Sequence, residues 1–457
     1  MIATVEPTLN PNAVRPNPVG LHLGQQRADL PDKKELCCDW VAGGKIRDFI
    51  WDTQSLLGHR NRRKYLKSEE VRPTEHSQYQ RIAGVLQAWP TVAFGSPWDN
   101  YVMNIAMELT LPIQNQIHDV EDDLLAAIDY CYEQGWTDGL PVVPPEESRV
   151  AAMCAMEGRP NETVIAHHPA TGLSLTVHSL AVNAVMAGCL PDYFPVLVAA
   201  FEAMEKERFN FHGSTASTGG SAPLIIVSGP IVDEIGMNAG VNLFGPGNRA
   251  NATIGRAVRL TLMNVFQMVP GISDKSTQGN PGKYSFCIGE RSDVNPWPLL
   301  AEEQGYPDGV SSVTVFAGAG FCNVENHGGN TPDAILDTVA DSMANYGCIS
   351  LGQSVVVLAP EHVKIIAAAN WSKPDVQAYL FEHAQRSVAG MKRVGKFVEG
   401  EYRKQGLQEM HRGLSASDIL VTVGGGDAGG HSAFIPSWSR SRGSIMQHQS
   451  IGVCVDC

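Results

Sequence analysis

The sequence predicts an α/β or α+β protein built on a largely buried mixed sheet flanked by helices, with a smaller N-terminal region and an extended N-terminal arm. Three observations carry that prediction. Pro223-Leu224-Ile225-Ile226-Val227-Ser228-Gly229 is a continuous apolar run closed by glycine, the pattern of a strand buried on both faces. From residue 176 onward, helix-like and strand-like segments alternate. The 457 residues are 43% hydrophobic and 18% charged, a globular composition that can fill a large core without a metal or disulfide.

Residues 1–30, rich in Pro and Asn, read as an extended arm able to wrap a neighbouring subunit. Residues 31–134 form an N-terminal region. Within it Pro90-Thr91-Val92-Ala93-Phe94-Gly95 reads as a short strand, and 119–134 as a helix. Asp119, Glu121, Asp122 and Asp123 suit that helix's positive end, and Gly135 stops it. The main α/β core spans 135–440. It contains helices at 195–207 and 248–268, a strand at Val313-Thr314-Val315-Phe316, and a helix from Thr331-Pro332 to Gly347. A strand at 354–358 follows, then a helix from Ser372 to about 388 and a last apolar strand at 418–423. No internal repeat is expected. Residues 441–457 form a mobile tail.

The net charge of −14 opposes binding to nucleic acid or anionic membranes. No apolar run reaches the ~18–20 residues that span a bilayer. The N-terminus lacks a signal-peptide pattern, so a cytoplasmic protein with ten mostly reduced cysteines is expected.

Five loop motifs could carry chemistry. Phe244-Gly245-Pro246-Gly247-Asn248-Arg249-Ala250-Asn251 feeds a helix that also carries Arg256. Asn248 is a natural cap, and free amides at a helix start favour an anion. Arg249 and Arg256 could grip a carboxylate or phosphate, with Asp138, Ser214, Thr218 and Asn251 as further substrate contacts. An ordinary capped helix with salt-bridged arginines explains the same residues. His212, in a loop of small hydroxyl residues, could be an acid–base group or a structural histidine. Lys283 and Tyr284, presented at a strand entrance, could pass protons or stabilise an oxyanion. Cys287, in that strand, reads as a buried thiol. His327 and His431 lie on two more glycine loops. With His212 they could bind a transition metal, although no H-x-x-x-H or H-E-x-x-H spacing supports it. The vicinal His167-His168 pair is a poor chelate, because adjacent strand residues face opposite ways.

Two motifs end the chain. Gly424-Gly425-Gly426-Asp427-Ala428-Gly429 matches G-x-G-x-x-G, yet Pro436 follows soon and no helix pattern does. No NAD or nucleotide site is expected there. Cys454-Val455-Asp456-Cys457 is a C-x-x-C that could carry electrons or a soft metal ion, or be two incidental thiols.

Gly135-Trp136-Thr137-Asp138-Gly139-Leu140-Pro141-Val142-Val143-Pro144-Pro145 resembles a T-D-G-L-P-V-V-P-P signature of a widespread set of bacterial proteins. Asn183–Pro191, Phe244–Arg256 and Pro281–Cys287 look like the same set, so the likeness spans about 135–440. In that set the region often accompanies a UGSC-type (seleno)protein domain, similar to selenoprotein subunits of glycine-reductase-type systems. The resemblance implies thiol or redox chemistry by association. No Cys-Gly-Ser-Cys occurs in the first 135 residues of this chain.

The expectation is therefore an enzyme acting on a small anionic molecule by thiol-dependent redox or bond-cleaving chemistry. The Gly245–Arg256 helix start would hold the anion. His212, Lys283 and Tyr284 would move protons, and Cys454 and Cys457 would supply electrons, restored by a thiol reductant protein. A metal-dependent lyase or hydrolase with His212, His327 and His431 as ligands is the alternative. A non-catalytic assembly protein, homo-oligomeric through its arm, is the third.

Overall fold

The computed structural model describes His118 and residues 123–396, 408–439 and 443–452. The expected arm, the strand at 90–95 and the Cys454/Cys457 pair lie outside those residues.

Helix α1 (Leu124–Glu133) is described from Leu124 rather than from 119, with Asp123 as its cap, the carboxylate accepting from the Leu125 amide; residues 119–122 lie outside the described residues. Helix α2 (Glu147–Cys154) follows the proline-rich signature segment. An antiparallel hairpin, β1 (Val164–His167) and β2 (Ser174–Thr176), leads into α3 (Val177–Ala187). Thr176 and Ser179 form a capping box there, and Gly188 ends the helix at φ 91°, a left-handed position where a side chain would be strained. Helix α4 (Phe194–Glu205) and the short α5 (Phe211–Ala216) complete the approach to the first sheet.

That sheet's elements run β3 (Ala222–Ser228), α6 (Ile231–Glu234), α7 (Arg249–Asn264), β4 (Cys287–Gly289), α8 (Leu300–Glu303) and β5 (Ser312–Gly318). Strand β6 (Cys322–Glu325) and α9 (Pro332–Met343) lead to the second sheet. Its elements are β7 (Ser354–Leu358), α10 (Pro360–Ala368), α11 (Lys373–His383), β8 (Gln385–Ser387), α12 (Val388–Arg393), β9 (Glu409–His411), β10 (Ile419–Val423) and β11 (His431–Pro436), before a final β12 (Gln447–Ser450). Thr331 and Ser372 cap α9 and α11 as expected. Helix α11 ends at His383 rather than near 388, because 385–387 turns into the small β8–β9 pair.

The architecture is mixed α/β, as predicted, but the single expected sheet is two. One four-stranded sheet has the order β12-β5-β3-β4 and the other β10-β7-β11-β6. The period-two alternation of a strand explains the layering. Leu224 and Ile226 of β3 pack with Val355 and Val357 of β7 and Ala433 and Ile435 of β11, so the sheets meet face to face. The intervening residues point outward. Ile225, Val227, Val313 and Val315 meet the helices α3, α4 and α7. Val356, Leu358, Val421 and Val423 meet α9, α10 and α11. The result is four layers, helix–sheet–sheet–helix, with both sheets buried on both sides. That is why the strands read as unbroken apolar runs.

The expectation of no internal repeat is corrected by the strand order. In each half a central strand (β3 or β7) runs into a proline-led helix, is flanked by a parallel edge strand (β4 or β10), and pairs on its other side with an antiparallel strand (β5 or β11). The fourth strand of each sheet comes from the opposite half. β6, which follows β5, pairs with β11, while β12, which follows β11, pairs with β5. The two halves therefore exchange strands. The sequence keeps little trace beyond Val227-Ser228-Gly229-Pro230 beside Val357-Leu358-Ala359-Pro360. Among the described residues no helix is long and apolar enough to cross a membrane.

Candidate functional site

The predicted anion site at the start of α7 is occupied by the protein's own contacts. Asn248 caps the helix, its side chain accepting from the Asn251 amide. Arg256 makes a two-pronged ion pair with Asp138, Nε to Oδ2 at 2.9 Å and Nη2 to Oδ1 at 2.8 Å, and also donates to the carbonyls of Leu140 and Pro141. Arg249 donates to the Gly188 carbonyl. Asn251 is buried and bonds the backbone of Asn238 and Cys287. Arg256 and Asp138 thus strap the T-D-G-L-P segment onto α7 rather than face a ligand. A cavity of about 470 Å³ beside the helix start is lined by Asp233 and by no cationic side chain, so an anion there would meet a carboxylate.

His212 lies on the helix α5 rather than on a loop, and its ring packs edge-on against His168, centroids 5.2 Å apart. Ser214 is buried and donates to the Phe211 carbonyl, while Thr218 offers its carbonyl to the Thr277 amide. Lys283 is turned inward. Its ammonium lies 2.5 Å from Asp274 Oδ2 and 2.6 Å from Ser276 Oγ, and Arg259 holds the same carboxylate oxygen at 3.1 Å. Burial pulls the Lys283 ammonium below its usual range, and its bonds to Lys283 and Ser276 hold Asp274 low. This buried ionic cluster braces the 274–283 loop. Tyr284 is exposed.

The three-histidine metal site is corrected. His212 pairs with His168, whereas His327 and His431 stack edge-on with each other at 4.9 Å. Among the described residues no group of three or more His, Cys, Asp or Glu is placed to hold a metal ion. The His327 Nδ1 accepts from the Gly430 amide, and the Asn323 amide group lies 3.0 Å from the His431 Nδ1.

What the glycine loops do share is a cleft. A cavity of about 800 Å³ is walled by residues 242–245, 279–282, 285–286, 319–321, 323, 357, 359, 424–426, 428–429 and 431–433. It lies at the carboxyl ends of the parallel pair β7 and β10, where Leu358 and Val423 are in register. Open α/β sheets place ligands at such ends, because the loops there are free of strand hydrogen bonding. One wall is aromatic. The Phe244 ring lies 4.9 Å from Phe321 and 5.9 Å from Phe286. The opposite wall is glycine backbone, fixed from behind: Gly424 donates to Leu358, Gly425 to Ala239 and Gly429 to Glu361. At Gly424 a Cβ would come within 2.6 Å of Leu243, so the absent side chain is what lets the loop lie flat. Among the described residues, the amides of Gly320, Phe321, Gly426 and Ala428 have no acceptor. The Asn280 Nδ2 is likewise buried without a partner. Among the described residues none that lines the cleft is Asp, Glu, Lys or Arg, and His431 supplies the one imidazole.

Ser432 follows His431 along the cleft rim, with its side chain on the helix-facing side of β11 beside Phe434. Its Oγ lies 2.7 Å from the Nδ1 of His362, at the start of α10. The His362 Nε2 is 2.9 Å from the Asn326 carbonyl. A carbonyl can only accept, so Nε2 carries the proton and Nδ1 is the acceptor for the Ser432 hydroxyl. Both side chains are buried. Sequence reading stopped at the histidines of the glycine loops and missed this pair. His362 lies 70 positions from Ser432. The one local signal is Pro360-Glu361-His362, a proline-led helix start placing an imidazole in the first turn.

Burial pushes the Cys189 thiol up to about 12 and the Cys287 thiol higher still, which makes both inert. Among the described residues no cysteine lines the cleft. No protein-family model matches the chain, and no curated protein matches it.

Proposed function

We propose that the protein is an enzyme that holds a small molecule with an anionic or oxyanionic head and an apolar body in the glycine-loop cleft, and cleaves a bond in it. The observation that carries this reading is the composition of the wall. The described lining combines the Phe244, Phe286 and Phe321 rings, glycine backbone that includes amides without an acceptor, and the His431 imidazole, with no carboxylate among those residues. Backbone donors fixed by a rigid sheet end recognise negative charge without reorganising. The phenylalanines supply the apolar contact area.

The thiol-dependent form of the reading rests on the C-terminal dithiol and on the family likeness. Bond cleavage by proton transfer is the form that the cleft itself supports. In that form His431 meets the substrate, while Lys283 and Arg256 act only by bracing loops.

Calorimetric titration with phenylacetate and phenylphosphonate tests the binding half. Ala319 lines the mouth of the cleft and is exposed, so Ala319→Trp should fold normally and fill it. Wild-type protein should bind one equivalent of either probe, and A319W should bind at least about tenfold more weakly, ~1.4 kcal/mol. Equal affinity in both proteins would remove the cleft from the function.

A further inference from the structure

Four of the described thiols, Cys131, Cys154, Cys189 and Cys287, are buried, whereas Cys322 and Cys348 are half-buried and reach solvent. These two share one side of the second sheet. Cys322 opens β6 and is the cross-strand partner of Phe434 on β11, so both side chains face the helix α9. Cys348, in the turn between α9 and β7, packs against the same apolar cluster. Arg412 joins the two places. Its guanidinium lies over the Phe434 ring, 5.6 Å from the centroid, and its Nη1 donates to the Cys348 carbonyl at 2.5 Å. That guanidinium is fully buried, and among the described residues its other bonds go to the Ser350 and Ser354 hydroxyls and the Gln353 carbonyl, none of them a carboxylate. A buried cation bonded only to neutral groups favours an anion beside it. Burial lowers the Arg412 pKa to about 10, and a charge on Cys348 offsets that. Burial raises the Cys322 thiol, and a charge on Cys348 raises it further, so Cys348 stands within electrostatic reach of both.

We propose that Cys348 and Cys322 are a peroxide-responsive dithiol whose oxidation to a disulfide loosens the glycine-loop cleft, which rests on the cleft being the substrate site. The Cys348 thiolate attacks one oxygen of hydrogen peroxide. The O–O bond breaks, Cys348 becomes a sulfenic acid, and the departing hydroxide takes up the proton that the thiol gave up. The Cys322 sulfur then attacks the Cys348 sulfur, the S–O bond breaks, and the hydroxyl leaves with the Cys322 proton as a second water. Two thiols and one peroxide give one disulfide and two waters, with two electrons passing from sulfur to oxygen. A dithiol reductant reverses the change by exchange. The link to the cleft lies in β6, a four-residue edge strand paired on one side only, which can shift at small cost. Phe321 and Asn323, on either side of Cys322, line the cleft, as alternation along a strand requires. Drawing Cys322 toward Cys348 pulls both away from the cleft and parts the Phe321 ring from Phe244, 4.9 Å away in the reduced protein. The oxidised protein therefore holds its ligand more weakly.

The test is oxidation of the full chain by hydrogen peroxide, blocking of free thiols with N-ethylmaleimide, and peptide mapping without reductant, which separates this pair from the other thiols. A peptide joining Cys322 to Cys348 should form in folded wild-type protein and disappear with dithiothreitol. Cys322→Ser should stop at the sulfenic acid, trapped on Cys348 by dimedone. Phenylacetate should bind oxidised wild type at least about fivefold more weakly than reduced. C322S should bind it equally under both conditions. No joined peptide, or one that forms only in denaturing urea, would overturn the proposal. So would a disulfide that leaves phenylacetate affinity unchanged while A319W weakens it, because the thiols would then not act on the cleft. A319W binding as tightly as wild type rejects the cleft itself, whatever the peptide map reads.

Discussion

At the carboxyl end of β3 and β4 the chain turns into Glu290, whereas at the carboxyl end of β7 and β10 it turns into Gly424-Gly425-Gly426. The strand order around the two places is the same. In the first half the buried Glu290 carboxylate fills the crevice. It accepts from Ser228 Oγ at 2.5 Å, from the Leu300 amide at 2.8 Å and from Thr422 Oγ1 of the other sheet at 2.9 Å. In the second half the positions after the parallel edge strand are Gly424-Gly425-Gly426, and they line a cleft of about 800 Å³. Topology therefore makes two potential sites, and the residues that follow the parallel edge strand decide which is plugged. The plug also joins the halves, since one carboxylate bonds β3, α8 and β10.

The largest effect should come from pulling that plug. Glu290→Ala leaves three buried donors without an acceptor and a cavity, which should cost about 3–5 kcal/mol in urea unfolding. Glu290→Gln keeps the volume and should cost less. Burial raises the Glu290 carboxyl above its ordinary value, so the folded state holds its proton to higher pH than the unfolded chain. A raised acid contributes stability that is full below the unfolded value and is lost as pH rises through the folded one. Wild type should thus lose stability as pH climbs from the ordinary carboxylate range toward neutrality, and E290Q should flatten that slope. A steeper slope in E290Q would mean the carboxylate is ionised and stabilising, and the plug argument would fail.

How much of this was legible in the sequence follows from the range of each interaction. Caps at Asn248, Thr331 and Ser372, and the strand at 354–358, are set by residues within a few positions, and they appear where the pattern puts them. A strand buried on both faces was recognisable at β3 for the same reason. The number of sheets was not, because period-two alternation vanishes when both faces are apolar. The strand exchange was hidden too, since β6 and β12 are four residues each and pair with partners more than a hundred positions away. Three of the glycine loops singled out from the sequence border one cleft, whereas the charged residues singled out with them do not line it. Arg256 and Lys283 looked like ligands of a substrate because their partners, Asp138 and Asp274, give no sequence sign of being nearby in space. The Ser432–His362 pair is legible only once β11 is laid against β7.

A second effect tests the packing outside the first sheet. His168 is fully buried against Phe211 and His212, and its Nε2 has no partner among the described residues. Burial and the neighbouring His212 lower its pKa from 6.5 to about 4. The unfolded chain therefore binds a proton between those values that the folded protein refuses, and stability must fall as pH drops through that window. The loss should reach roughly 3 kcal/mol near pH 4, at 1.36 kcal/mol per pH unit. His168→Phe retains the ring contacts and should remove most of that slope. If acid unfolding is unchanged in H168F, the imidazole is solvated and the first half is looser than its packing implies.

The smallest effect bears most directly on the difference between the halves. Arg291 leaves the end of β4, beside the plug, and crosses to the open side. Its Nη1 donates to the Gly425 carbonyl at 2.9 Å and pairs with Asp427, while Nε and Nη2 hold Asp293. Asp427 and Asp293 are exposed, so the ion pairs themselves are screened and add little to stability. The bond to Gly425 is different, because it fixes the glycine loop whose amides would meet a ligand. Arg291→Gln should lower global stability by less than about 1 kcal/mol. It should nevertheless weaken phenylphosphonate binding several-fold, because the ligand must then order the loop. A stability loss with unchanged affinity would show that Arg291 serves the fold alone. Unchanged stability with weakened binding would place the preorganisation of the open cleft in the residue adjacent to the one that closes its counterpart.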